Sequence, residues 1–265
     1  MKKTLSLILC LFFAFCLFTV SASAEKDPAP NVFVSISDEN GSPVLAYAYV
    51  ALSDRDGNGK LTANDALIAA HSEYCENGAD GFGSVKTQYG VSMTKLWGVE
   101  NGGSYGLCIN DSFATSCDDG ISAGDHVYAY VYTDTVTFSD AYSYFDTKSV
   151  LVKKGDSVTL TLRASGYDEN WNPTTNPVSG AHILIDGEDT GIVTDENGRA
   201  TVTLNSRKDV VISARSDTQT LVPPVCIAEV NAPGVIVPIV IVAVVGVAAL
   251  GTVLFLVLKK RSAHA

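Results

Sequence analysis

Three stretches of the chain alternate apolar and polar residues with a period of two. Val32, Val34 and Ile36 alternate with Phe33, Ser35 and Ser37. Val127, Ala129 and Val131 alternate with Tyr128, Tyr130 and Tyr132, and Val158, Leu160 and Leu162 with Thr159, Thr161 and Arg163. Such alternation predicts half-buried β-strands. One segment breaks the pattern. Ala66, Leu67, Ala70 and Tyr74 recur at helical spacing, which predicts a helix over 63–75, ended by the glycine-rich stretch 78–83. The tetrapeptide Asp-Glu-Asn-Gly stands at 38–41 and again at 195–198, and Asn-Gly favours tight turns between strands. The stretch 173–177 reads as a loop. Strands around one helix predict an α+β domain over 31–140, and strands alone predict an all-β domain over 145–230.

The two ends of the chain follow a different pattern. Lys2 and Lys3 precede an apolar run over 5–20, and Ala22-Ser23-Ala24 supplies small residues for cleavage, so 1–24 reads as a secretion signal. The run 235–258 carries no charge and is long enough to cross roughly 30 Å of hydrocarbon as a helix. Lys259, Lys260 and Arg261 follow at once, and such residues stay on the cytoplasmic side. The expected partner of this segment is therefore a membrane. It would be crossed once, with the N-terminal part outside the cell and 259–265 inside, as a type I surface protein.

Charge narrows the choice of ligand. The chain has 29 acidic and 18 basic residues, a net charge of −11, and every acidic residue lies between the two apolar ends. Such a surface repels nucleic acid and tolerates cations. Cys75, Cys108, Cys117 and Cys226 remain after the signal, in a compartment that allows disulfides, and four cysteines permit three pairings.

The strongest chemical signal is the stretch Asp-Arg-Asp-Gly-Asn-Gly-Lys-Leu-Thr-Ala-Asn-Asp at 54–65. A calcium loop needs oxygen ligands at positions 1, 3, 5, 7, 9 and 12 and a glycine at 6 for the bend. These positions hold Asp54, Asp56, Asn58, Lys60 (through its backbone carbonyl), Thr62 and Asp65, with Gly59 at the bend. Leu61 can pin the loop to a core. Aspartate stands at position 12, where glutamate is the common choice. The expected cofactor is Ca2+, held on the order of 0.1–1 mM as in extracellular modules.

Family resemblances add to this picture. The strand "VFVSIS", the helix "TANDALIAA", the segment "KLWGVENGGSYGLCINDSFA" and the following "ISAGDHVYAYVYT" resemble the transcobalamin C-terminal-like β-grasp domains of bacterial surface proteins. The loop ending in Asp65 resembles a single dockerin-type loop. The segment "SGAHILIDGEDTGIVTDENGRATVTL" resembles bacterial Ig-like or transthyretin-like domains. The resemblances imply an α+β β-grasp-like domain carrying the calcium loop and an all-β Ig-like sandwich; the C-terminal transmembrane helix expected from the apolar run would follow them.

No catalytic apparatus is legible. Gly102-Gly103-Ser104-Tyr105-Gly106 matches a nucleophile-elbow pattern, but a strand rather than a helix is predicted to follow it. The aromatic residues Tyr128, Tyr130, Tyr132, Trp97 and Tyr105 are the candidates for contact with an extracellular ligand, because aromatics give rigid contact area at low entropic cost. The expectation is a non-enzymatic, membrane-anchored surface binding or adhesion protein. The alternatives are a capture protein for a small, cobalamin-like cofactor or nutrient and a dockerin-like assembly module.

Overall fold

A computed structural model describes residues 30–170 and 172–230. Among them, strand accounts for 48% and helix for 8%. The helix predicted over 63–75 is α1, Ala63–Tyr74, and it is the only α-helix among the described residues. Four of its twelve residues are alanine, so it buries little area, and sheets supply most of the core. The α+β β-grasp-plus-sandwich class is therefore corrected to a mostly β molecule of several sheets. No helix among the described residues is long and apolar enough to cross a membrane. The signal expected over 1–24, the span over 235–258 and the tail 259–265 lie outside those residues.

The chain divides into two compact units, each drawing on separated segments. Among the described residues the first holds 30–144, 164–176 and 217–225, and the second holds 145–163, 177–216 and 226–230.

In the first unit, β1 (Asn31–Ser37), β2 (Pro43–Ala51), β5 (Tyr105–Ile109), β6 (Ser112–Phe113) and β7 (His126–Val131) form one sheet in the order β2-β1-β7-β5-β6. β1 and β7 run parallel, with Val34 opposite Val127 and Ile36 opposite Ala129. The apolar residues of the period-two pattern, Val32, Val34, Ile36, Val127, Ala129 and Val131, share one core with Ala63, Ala66, Leu67 and Ala70 of α1. Burying each large aliphatic side chain contributes about 1.5–3 kcal/mol. A hairpin of β3 (Gly83–Thr87) and β4 (Gly90–Lys95) adds Met93 and, just beyond it, Leu96 to the same core. On the far face of β7, Tyr128 and Tyr130 pack with Cys108, Tyr142, Val222 and Val225. Gly106 of β5 is required there, because a Cβ at that position would collide with the Tyr130 ring.

In the second unit the sheet order is β13-β12-β15-β17-β9, with β9 Ser149–Val152, β12 His182–Ile185, β13 Glu188–Val193, β15 Val210–Arg215 and β17 Cys226–Val230. The part of β10 (Ser157–Tyr167) that lies in this unit pairs with β14 (Arg199–Thr203), placing Leu160 opposite Ala200 and Val158 opposite Val202. Strand β8 runs Ala141–Phe145. The stretch expected as a loop is a strand, β11, Pro173–Pro177, at the edge of its sheet. Proline tolerates an edge because a missing N–H costs least there.

The repeated tetrapeptide folds the same way twice. Asp38 Oδ1 accepts the N–H groups of Asn40 and Ser42 at 3.0 and 2.9 Å. Asp195 Oδ1 accepts those of Asn197 and Arg199, both at 2.8 Å. An aspartate that bonds its own backbone two and four residues on is a self-contained turn.

Candidate metal centre

Strand β2 ends at Ala51, and Leu52 is buried behind it with its N–H on Pro30 O at 2.8 Å. The chain then turns through the exposed residues 53–60 and re-enters the core at Thr62, directly before α1. Gly57 and Gly59 hold φ values of +73° and +78°, in the left-handed region that glycine enters without steric cost. The bend therefore falls where the spacing of the loop requires it.

That bend brings three carboxylates together. Asp54, Asp56 and Asp65 each present an oxygen within 4.8 Å of the others. Asp54 and Asp56 are exposed, whereas Asp65 is fully buried. Asp54 Oδ1 accepts Gly57 N–H at 2.8 Å and Asn58 N–H at 3.2 Å, and its Oδ2 accepts Gly59 N–H at 2.9 Å. Asp56 Oδ1 accepts Asn58 N–H at 3.1 Å, and its Oδ2 accepts the side-chain amides of Asn58 and Asn64 at 3.1 and 3.0 Å. Asn58 Oδ1 accepts Lys60 N–H at 2.8 Å.

Asp65 closes the loop. Its Oδ1 accepts the N–H groups of Arg55 and Asp56 at 2.6 and 3.3 Å. Its Oδ2 accepts the N–H and hydroxyl of Thr62 at 2.9 and 2.8 Å. A carboxylate has about four lone-pair positions, and here protein donors take them all. Of the three, Asp65 is thus the one that must trade a hydrogen bond to enter the shell of an ion. It is also the residue that ties the start of the loop to the start of α1.

The first turn of the helix is anchored from outside as well. Helix N-termini leave N–H groups without intrahelical partners. Ala63 N–H bonds Asp119 O at 3.0 Å, Asn64 N–H bonds Cys117 O at 2.9 Å, and Ile121 N–H bonds Leu61 O at 3.0 Å. Two exposed carboxylates on a glycine-bent loop with a buried third beneath suit a hard, oxygen-seeking cation.

The aromatic candidates are placed differently. Tyr128 and Tyr130 are each 1% exposed, so their rings are core residues and are not offered to solvent. Tyr128 donates its hydroxyl to Pro223 O, and Tyr130 donates to Tyr132 at 3.2 Å. Trp97 packs against the helix-side core, and its backbone N–H donates to His71 Nε2 at 3.0 Å. The Tyr105 hydroxyl lies 2.9 Å from both Thr94 O and Val99 O. Trp97 and Tyr105 are half-buried against the helix-side core, and Tyr132 is half-buried against the cluster of Tyr128 and Tyr130.

Two further polar centres were not foreseen. Ser35 Oγ and His126 Nε2 lie 2.8 Å apart across β1 and β7, and Ser35 Oγ also accepts Tyr47 N–H at 2.9 Å. Ser35 has no exposed surface. A substrate cannot reach it, and the pair ties the β2 bulge at Tyr47 to the sheet. His71, also fully buried, has Nδ1 2.7 Å from Leu67 O. Burial lowers its pKa to about 4, against an opposing effect of the Leu67 bond. The Ser35–His126 pair and the bond from Trp97 N–H to His71 Nε2 have no signal in local spacing, because the partners lie on different elements. Cys75, Cys108, Cys117 and Cys226 all carry free thiols, and burial pushes Cys117 and Cys226 up to about 12.

No protein-family model matches the chain, and a comparison with curated proteins returns no match.

Proposed function

We propose that this chain is a non-enzymatic binding or adhesion module of the cell surface, with a Ca2+ ion fixing the loop at 54–65 to the head of α1. The observation that carries the proposal is the convergence of Asp54, Asp56 and Asp65 within 4.8 Å on a glycine-bent loop. Asp54, Asp56, Asn58 and the Lys60 carbonyl are the ligands that need least rearrangement. Asp65 and Thr62 complete the set by exchanging part of their mutual hydrogen bonding. The ion would offset the repulsion among three carboxylates, and its role is to stiffen the loop. Support for a surface location comes from the leader-like residues 1–24 and from the apolar run 235–258 with its basic flank.

Calorimetric titration of the purified protein with calcium tests the proposal. A saturable heat on the order of 0.1–1 mM is expected, and Asp54→Ala is expected to abolish it. Equal heats in the wild type and in Asp54→Ala would remove the loop as the site.

A further inference from the structure

Five Asn-Gly pairs occur in the chain, at 40–41, 58–59, 77–78, 101–102 and 197–198. Such pairs are open to a spontaneous reaction. The glycine backbone nitrogen attacks Cγ of the asparagine carboxamide, the C–N bond of that carboxamide breaks, and ammonia leaves. The resulting succinimide takes up water at either carbonyl and opens to aspartate or isoaspartate. Net, an amide and water become a carboxylic acid and ammonia. Glycine permits the approach because it has no side chain in the way. The attacking nitrogen must first lose its proton, so a hydrogen bond from that N–H to a protein acceptor opposes the reaction.

Four of the five pairs are restrained in this way. Gly41 N–H bonds Asp38 O at 3.1 Å, Gly78 N–H bonds Cys75 O at 2.9 Å, and Gly198 N–H bonds Asp195 O at 2.9 Å. Gly59 N–H bonds Asp54 Oδ2 at 2.9 Å. Gly102 differs, since its N–H meets no acceptor among the described residues. It is exposed, with φ at +80° and open space around it. The Asn101 carboxamide reaches forward past Gly102 and Gly103, where Oδ1 accepts Ser104 N–H and Nδ2 donates to Ser104 O, both at 3.0 Å. Both polar atoms of this carboxamide thus bond the backbone three residues on.

We propose that Asn101 is the site of spontaneous deamidation in this protein, ahead of the other four pairs. The product loses the amide donor to Ser104 O, and isoaspartate lengthens the backbone by one methylene. Asn101 N–H also bonds the Tyr105 hydroxyl at 3.1 Å, and that hydroxyl braces Thr94 O and Val99 O. The modification therefore loosens the connection between β4 and β5 that carries Trp97. The inference is independent of the proposed calcium site.

The test is to age the full chain at mildly alkaline pH, folded and in denaturant, and to map peptides by mass spectrometry with enzymatic quantification of isoaspartate. In the folded protein the Asn101 peptide is expected to convert roughly tenfold faster than the other four, the factor that one net hydrogen bond is worth. In denaturant the five rates are expected to converge. Asp54→Ala, which removes the acceptor of Gly59 N–H, is expected to speed conversion at Asn58. Faster conversion at any other pair in the folded wild type, or the same ranking in both conditions, would overturn the proposal.

Discussion

Two loops of the first unit are rich in carboxylates, and they use them in opposite ways. In the stretch 133–140 each aspartate is closed on its own neighbours. Asp134 accepts the N–H groups of Val136 and Thr137 at 3.0 Å and the hydroxyls of Thr137 and Ser139. Asp140 accepts the N–H and hydroxyl of Thr133 at 2.8 and 2.7 Å, and Asp134 N–H at 3.0 Å. In the stretch 54–65 only Thr62 supplies a hydroxyl, and it binds Asp65. Asp54 and Asp56 are left with backbone and amide donors on an exposed bend, beside a third carboxylate. Hydroxyl donors next to an aspartate make a turn that is complete by itself. In 54–65 the glycine bend instead brings an oxygen from each of three aspartates within 4.8 Å of the others.

The sharpest way to separate the loops is to remove their central carboxylates. Asp65→Ala strands four buried or half-buried donors and is expected to cost roughly 3–5 kcal/mol, read from urea unfolding in the presence of a chelator. A loss within the error of the measurement would mean that Asp65 does not anchor the loop. Calcium gives the next largest effect. At ten millimolar, a site of the proposed affinity stabilises the wild type by about 1.4–2.7 kcal/mol, seen as a rise in melting temperature. Asp54→Ala is expected to lose that rise, whereas Asp134→Ala is expected to keep it in full. The reverse pattern would interchange the roles of the two loops.

Acid titration gives the smallest effect. Hydrogen bonds from the Thr137 hydroxyl and N–H, then from the Ser139 hydroxyl, hold the Asp134 carboxyl well below its ordinary value of 3.8. A group with a depressed folded-state pKa stabilises the fold above its unfolded value and loses that contribution as pH falls through the folded one. The 133–140 turn should thus stay intact through the ordinary carboxylate range. Thr137→Val is expected to move the Asp134 midpoint upward in a carboxyl NMR titration, and an unmoved midpoint would assign the depression to another cause.

The candidate site was legible because its information is local. Three aspartates that converge within 4.8 Å, a glycine at the bend and a helix start all fall within twelve consecutive residues, so spacing alone points to them. The pattern says less about the aromatic stripe, for the complementary reason. Period-two alternation in β7 correctly separates Val127, Ala129 and Val131 from Tyr128 and Tyr130, but it cannot say whether the second face is covered. Here Tyr142, Val222 and Val225, the last two more than ninety residues downstream of Tyr128 and Tyr130, cover it, and every residue of β7 is buried. The fold class missed on the same count, since a helical pattern shows that a helix exists and not how much of the core it supplies. The Ser35–His126 pairing depends on which strands become neighbours and the His71–Trp97 pairing on what packs against the helix, and no local pattern encodes either.

The most direct test is to follow backbone amides by NMR while calcium is added. The amides of 54–65, with Gly59 foremost among them, are expected to shift and saturate together, while those of 133–140 stay in place. Unmoved resonances in 54–65 up to tens of millimolar calcium, or equal shifts in both loops, would contradict a bound ion at Asp54, Asp56 and Asp65.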